Sequence, residues 1–276
     1  MTLTAVTGLR EGGSPWLLRF SDGGALVLRT GGEGHREAFA TELAALSLAG
    51  PAGLPVPGVV AALLDGDALA VLTTVLPGSS RTTSAPSAAR FRALGAAAAA
   101  VHRVPAPPPS AALPVRTRSI SAVDFGALRR AAPSRPLLVR AEELLARLPV
   151  PPAPRVLVHG DLWQGNTLWL GDALTGVIDW DGAGVGPAGI DLGSLRCDAA
   201  TSAGATAPDD VLAGYEAATG QPFPDVAYWD LVAALTTPPD MGWFVDAVRD
   251  QGRTDLDQPT MLARRDAFLA AALSRF

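Results

Sequence analysis

An α+β fold of two lobes, a small antiparallel β lobe with one helix and then a larger, mainly helical lobe, is predicted by three observations. The first 78 residues alternate strand-like runs with glycine turns. From Ser87 onward the pattern changes to long alanine-rich helical periodicity. Two short apolar runs, RVLVHGD and GVIDW, interrupt that helical pattern and carry acids at their ends.

The chain begins with AVTGL, WLLRF and ALVLR, joined by REGGS and SDGG, which reads as a meander of strands. After a glycine-rich loop, His35 to Leu48 spaces Phe39, Leu43, Leu46 and Leu48 for the buried face of a helix. Pro51, Pro55 and Pro57 end that helix. VVAALL and ALAVLTTV, split by the Asp65-Gly66-Asp67 turn, bring the strands to about five, and Pro77-Gly78 closes the section. The N-terminal lobe is therefore assigned to residues 1–78, with a crossing near 74–80, and the C-terminal lobe to residues 79–276. In the second lobe helices are expected from Ser87 through Val101 and from Pro136 to Leu148, with PAPPPSAALP and LPVPPAP as connectors. A mostly helical remainder follows GVIDW, and no internal repeat is visible.

With 276 residues, 48% of them hydrophobic and 18% charged, the chain can bury a sizeable core and is not a disordered tail. A net charge of -5 supplies no basic footprint, which argues against a nucleic-acid partner. The longest apolar runs, such as Ala93 to Val101, fall well short of the roughly 20 residues of a membrane span. The opening residues lack a charged leader ahead of an apolar core, so a cytoplasmic location is expected. All 22 basic residues are arginine. The single cysteine, Cys197, excludes an internal disulfide and a multi-cysteine metal site, and reads as a small buried apolar residue. Oligomeric state is not legible.

VLVHGDLWQGN, Val156 to Asn166, carries the most chemistry. It matches the kinase catalytic-loop pattern His, any residue, Asp, four residues, Asn, in which the Asp takes the proton of the substrate hydroxyl and the Asn binds magnesium. Asn166 is the only asparagine in the chain, so chance would supply only about 0.0008 such matches. Asp179 ends a second β-run, followed by Trp180 and Asp181, where a kinase fold presents its other magnesium ligand. Asp161, Asn166 and Asp179 together make an oxygen-rich set suited to Mg²⁺, a hard cation. His159 is expected to orient the loop through hydrogen bonds. A literal G-x-G-x-x-G at Gly184, Gly186 and Gly189 invites a dinucleotide-binding reading, but Pro187 interrupts it and no repeated βαβ units surround it.

HGDLWQGNTLW followed by GVIDWDGAGVGPAGIDLGSL resembles the Brenner-type motifs of the aminoglycoside phosphotransferase family, protein-kinase-like small-molecule kinases that include choline-kinase-like relatives. REGGS resembles that family's phosphate-covering loop, LVLR its nucleotide-lysine strand, TELAAL its lobe helix, GLPVPGV the turn after it, and TTVLPG its hinge. The resemblance implies Asp161 as catalytic carboxylate, Asn166 and Asp179 as metal ligands, and His159, Asp181 and Asp191 in support. It places Arg29 where the family has a lysine, with Glu42 as its ion-pair partner and Glu37 as the alternative. Arginine keeps the charge without being interchangeable with lysine. Gly12, Gly13 and Ser14 would cover the phosphates, and Thr74 and Val75 would meet the purine.

The expected activity is transfer of the γ-phosphoryl group of ATP or GTP, with Mg²⁺, to a hydroxyl of a small molecule. The alternative is a catalytically idle kinase-like module that binds nucleotide, which the joint presence of Asp161, Asn166 and Asp179 disfavours. From Arg196 to the end there are twelve acids against six arginines, a local charge of -6. That balance favours a cationic acceptor, aminoglycoside-like or an amino sugar, with Asp198, Asp240, Asp246 and Asp250 as candidate contacts. Tyr215, Tyr228, Trp229, Trp243 and Phe244 are open between a pocket lining and helical core.

Overall fold

The computed structural model describes residues 2–10 and 13–276. Five strands, β1 (Leu3–Arg10), β2 (Gly13–Phe20), β3 (Ala25–Gly31), β4 (Val59–Leu63) and β5 (Leu69–Thr74), form one antiparallel sheet in the order β1-β2-β3-β5-β4. Helix α1 (Arg36–Ala49) lies after β3 and buries Phe39, Glu42, Ala45 and Leu46. Phe39 meets Leu69 and Val71 of β5 in a small core between helix and sheet. Register then decides where Arg29 points. It lies directly opposite Val71, and cross-strand partners share a face, so Arg29 faces the same side as the fully buried Val71.

The remaining helices are α2 (Ala88–His102), α3 (Phe125–Ala131), α4 (Pro136–Leu145), α5 (Gly189–Ala203), α6 (Ala207–Thr219), α7 (Val226–Leu235), α8 (Gly242–Asp250) and α9 (Gln258–Leu273). Ser87 caps α2 by accepting the Arg90 N–H, the usual satisfaction of an orphan first-turn donor. Small residues then let α6 approach α2 closely. A Cβ at Gly95 would collide with the backbone of Val211 and Tyr215, and one at Gly214 with the backbone of Arg92. The resulting core joins Leu94 and Ala98 of α2 to Val211 and Tyr215 of α6 and Leu192 and Leu195 of α5, with the fully buried Trp180. Cys197 is buried, and burial pushes its thiol up to about 12.

Four short strands lie between α4 and α5. β6 (Arg155–Val158) pairs with β9 (Gly184–Pro187), and β7 (Thr167–Leu170) pairs with β8 (Ala173–Val177), both antiparallel. The glycines of the G-x-G-x-x-G string serve packing: a Cβ at Gly184 would strike the Pro114 carbonyl, one at Gly186 would lie 2.7 Å from the Arg116 carbonyl oxygen, and one at Gly189 would enter the Trp229 indole.

The crossing segment is pinned. Ser79 and Trp169 exchange both backbone hydrogen bonds, at 3.1 and 3.0 Å, and Thr175 Oγ1 donates to the Pro77 carbonyl at 2.6 Å. Gly78 sits between them at φ +107°, where a Cβ would lie 2.6 Å from Thr175 Oγ1 and 2.8 Å from the Trp169 carbonyl oxygen. No helix among the described residues is long and apolar enough to cross a membrane.

Candidate active site

β6 delivers the chain into His159-Gly160-Asp161, and one buried acid holds that turn. Asp191, in the first turn of α5, accepts the His159 amide at 2.7 Å and the Gly160 amide at 2.9 Å. Gly160 adopts φ +79°, and a side chain there would overlap the Gly182 carbonyl, so only glycine lets the two turns close on each other. Burial alone would raise the Asp191 pKa, but the His102 hydrogen bond and charge, with His159, outweigh it and hold the group below the usual carboxylate range.

His159 is fully buried, with Nε2 on the Ile178 carbonyl at 2.9 Å and Nδ1 accepting the Asp161 amide at 3.3 Å. Those two partners require the neutral Nε2–H tautomer, and burial pushes the imidazole pKa down despite nearby Asp191. The expected orienting role therefore has a geometric basis: His159 ties the Asp161 turn to the strand that leads to Asp179.

Asp161 is held next by Asn166. The turn Gln164–Asn166 returns the Asn166 Nδ2 to donate to the Asp161 carbonyl at 2.8 Å and to Asp161 Oδ2 at 3.1 Å. Asp179 follows β8 in the left-handed region, φ 66° and ψ 59°, and a short turn over Trp180–Gly182 presents Asp181 beside it. Burial first, then the carboxylates of Asp179 and Asp181, push Asp161 up to about 7. Burial and Asp179 likewise raise Asp181, against the opposing pull of Arg29.

Arg29 meets these acids from the sheet side. Its Nη1 lies 2.7 Å from Glu42 Oε1 and 3.1 Å from Asp179 Oδ1, and its Nη2 lies 3.3 Å from Asp181 Oδ2. Glu42 is thus the partner, whereas Glu37 is exposed. Burial would lower the guanidinium pKa, but Asp179, Glu42 and Asp181 outweigh it and raise it. Glu42 is raised by burial against the charge of Arg29, and its Oε2 is buried with no hydrogen-bond partner among the described residues. Three carboxylates, Glu42, Asp179 and Asp181, therefore gather around one guanidinium, and Asp161 lies close enough to Asp179 and Asp181 to be raised by them. That surplus of negative oxygen suits a hard divalent cation. Among the described residues no three His, Cys, Asp or Glu side chains converge as a metal cage. Mg²⁺ does not need one, because it takes one or two protein oxygens and completes its shell with phosphates and water.

The other expected residues divide. Gly12 lies outside the described residues, Gly13 opens β2, and the Ser14 hydroxyl accepts the Thr30 amide at 2.9 Å within the sheet. Thr74 ends β5 and exchanges two bonds with Gly58, and Val75 after it is exposed. Asp240, Asp246 and Asp250 are exposed around α8. Asp198 is placed differently from the expectation of an acceptor contact. It lies beneath the catalytic loop, accepting the Gln164 Nε2 at 3.1 Å, and burial pushes it up to about 6. Tyr215, Tyr228 and Trp229 are core, while Trp243 is 44% exposed.

His102 escaped the sequence reading, which left Tyr215 open between pocket lining and core. His102, at the end of α2, places Nε2 3.2 Å from Asp191 Oδ2, and its Nδ1 lies 3.0 Å from the Tyr215 hydroxyl. The chain Tyr215, His102, Asp191 thus runs through the core to the backbone of the catalytic turn.

The family model APH, the phosphotransferase enzyme family, matches residues 5–235. No curated protein sequence matches the chain. Among solved structures, the apoenzyme of macrolide 2'-phosphotransferase MphH from Brachybacterium faecium is 25% identical at TM-score 0.64, over 98% of this chain and 92% of its own. Macrolide 2'-phosphotransferase type I is 24% identical at TM-score 0.59, over 97% and 90% of the two chains. Amicoumacin kinase hAmiN, in complex with AMP-PNP, Ca²⁺ and Ami, is 16% identical at TM-score 0.66, over 96% and 88%.

Proposed function

Because the chain belongs to the aminoglycoside phosphotransferase family of enzymes, we propose that it moves the γ-phosphoryl group of ATP or GTP to a hydroxyl of a small molecule, using Asp161 as the catalytic carboxylate. The observation that carries this reading is the placement of Asp161, locked by Asn166 and the Asp191-held turn and raised to about 7 by burial and by Asp179 and Asp181. A carboxylate poised near neutral pH suits proton acceptance from an alcohol far better than one at its ordinary value.

The acceptor oxygen forms a bond to the γ-phosphorus as the bond to the β–γ bridging oxygen breaks. The hydroxyl proton passes to Asp161, and the nucleoside diphosphate leaves. Asn166 and Asp179 would hold Mg²⁺, which neutralises charge on the phosphates. Arg29 faces the same space from the sheet and would contact the phosphates. Residues 1–78 would form the nucleotide lobe, with the exposed Thr74 and Val75 meeting the purine. The adenine analogue bound by the amicoumacin kinase favours ATP as the first donor to try, and the macrolide phosphotransferases make macrolides an acceptor class to include beside aminoglycosides.

A nucleotide-consumption screen over macrolides, aminoglycosides, amino sugars and choline-like amines, with Asp161→Asn as the blank, tests the proposal. Turnover with at least one acceptor is expected, lowered by on the order of 10² to 10⁴ in the Asn variant. Nucleotide binding without turnover on any acceptor would favour the idle-module reading.

A further inference from the structure

We infer that the acceptor is recognised through an apolar face laid on an aromatic wall built from Trp163, Phe244 and Trp243, and that charge on the acceptor is secondary. The inference rests on the phosphotransferase reading above, because it assumes that a hydroxyl must reach Asp161.

A chain of contacts runs from Gly160, just before Asp161, to Trp163, two residues after it. The Ile120 amide donates to the Gly160 carbonyl at 2.8 Å, immediately before Asp161. Ile120 holds φ +45°, a strained value for a β-branched residue, so the surrounding structure enforces this corner. Arg118 donates to the Ile120 carbonyl at 3.3 Å and places its guanidinium 5.7 Å from the centre of the Phe125 ring. The buried Phe125 stacks on Trp243 at 6.2 Å and 21°, and Trp243 meets Phe244 edge-on at 4.5 Å. Phe244 and Trp163 both pack on the cluster of Met241, Val245, Val248, Leu256 and Met261. Trp163 stands two residues after Asp161.

The ring draws on residues separate from Glu42, Asp179 and Asp181, the ion-pair partners of Arg29. Its surface is aromatic, with Trp243 44% exposed and Trp163 and Phe244 only partly covered. Asp198 is engaged with Gln164, and Asp246 and Asp250, exposed on α8 three and seven residues after Trp243, would stand at the rim of the wall rather than in it. Aromatic faces gain most from apolar area and from C–H groups lying flat on them. A hydroxylated compound with an extended apolar face fits such a wall, with one alcohol projecting past the rim toward Asp161.

Calorimetry without nucleotide separates this inference from the phosphotransfer reading, since it needs no turnover. A macrolide is the apolar-faced probe and hygromycin B the polycationic one. The macrolide is expected to bind wild type, to lose about 10-fold in affinity in Trp243→Ala, as for a central aromatic contact, and to regain most of it in Trp243→Phe. Its affinity should hold between 0.05 and 0.5 M salt, and nucleotide affinity should be unchanged in both variants. Failure of the macrolide to bind, equal binding by Trp243→Ala, or tight salt-sensitive binding of hygromycin B alone overturns the wall. Macrolide binding with these responses, but no phosphorylated product from any acceptor of the screen, would keep the wall and remove the phosphotransfer reading.

Discussion

Replacing Asp161 by Asn should make the resting protein more stable while removing its activity. Asp161 is pushed from an ordinary 3.8 up to about 7 by burial and by Asp179 and Asp181. That difference of about 3 pH units corresponds to roughly 4 kcal/mol at 1.36 kcal/mol per unit, an upper bound on the cost of keeping the carboxylate ionised in the folded state. The sign follows from linkage. Between pH 3.8 and about 7 the folded chain binds more protons at this site than the unfolded chain, so stability falls as pH rises and levels off above 7. Asn cannot ionise, and it still offers an oxygen to the Asn166 Nδ2. The advantage of Asp161→Asn should therefore be about 1.5 kcal/mol at pH 5 and approach about 4 kcal/mol at pH 8. At roughly 2–4 °C per kcal/mol, the melting temperatures at pH 8 would differ by on the order of 10 °C. Calorimetric melts of both proteins at the two pH values, without metal or nucleotide, measure this directly. A variant no more stable than wild type at pH 8, or a gap that does not widen with pH, refutes the reasoning.

Arg29→Ala leaves the buried Glu42 without its partner, and breaking such a pair costs about 3 kcal/mol; the contact to the more exposed Asp181 adds little. Lower melting temperature and weaker nucleotide binding are both expected. Lys should restore part of the binding but not the three-carboxylate contact, and titration calorimetry with thermal melts separates the two effects. Gly78→Ala should cost about 2 kcal/mol or more in urea unfolding, because φ +107° and the walls of Thr175 and Trp169 leave no room for a methyl group. Loss of under about 0.5 kcal/mol would mean that the crossing relaxes freely. Tyr215→Phe deprives His102 Nδ1 of its hydroxyl partner, at about 1 kcal/mol, and should lower kcat with little change in nucleotide KM. Steady-state kinetics with unchanged kcat would reduce this chain to a purely structural one.

The turn from His159 to Asn166 was legible because its residues are local in sequence. His159, Asp161 and Asn166 lie within eight residues, and a strand-turn geometry that joins them leaves its spacing in the sequence. Arg29 and Glu42 could be paired because strand and helix follow one another directly. His102 left no such mark, since it lies 89 residues from Asp191 and 113 from Tyr215, and Tyr215 reaches the site only through it. Their one available signal was a polar histidine closing an alanine-rich helix. Asp198 was misplaced for a related reason: counting acids along a segment gives its charge but not the face of α5 on which each acid lies, and this one points inward to Gln164. The corner at Ile120 has neither helical nor strand periodicity, and only its tertiary contact with Gly160 reveals it.

The use of arginine throughout in place of lysine has a practical consequence for how this protein can be detected. Reagents that tag nucleotide sites by acylating a lysine amine have no side chain to react with here, because the chain contains none. An acyl-nucleotide survey of a cell extract would pass over it whatever its turnover. Dicarbonyl reagents, which condense with guanidinium groups, would be the matching chemistry. Arg29, 22% exposed and ringed by carboxylates, should react slowly when the site is empty and more slowly still once phosphates cover it.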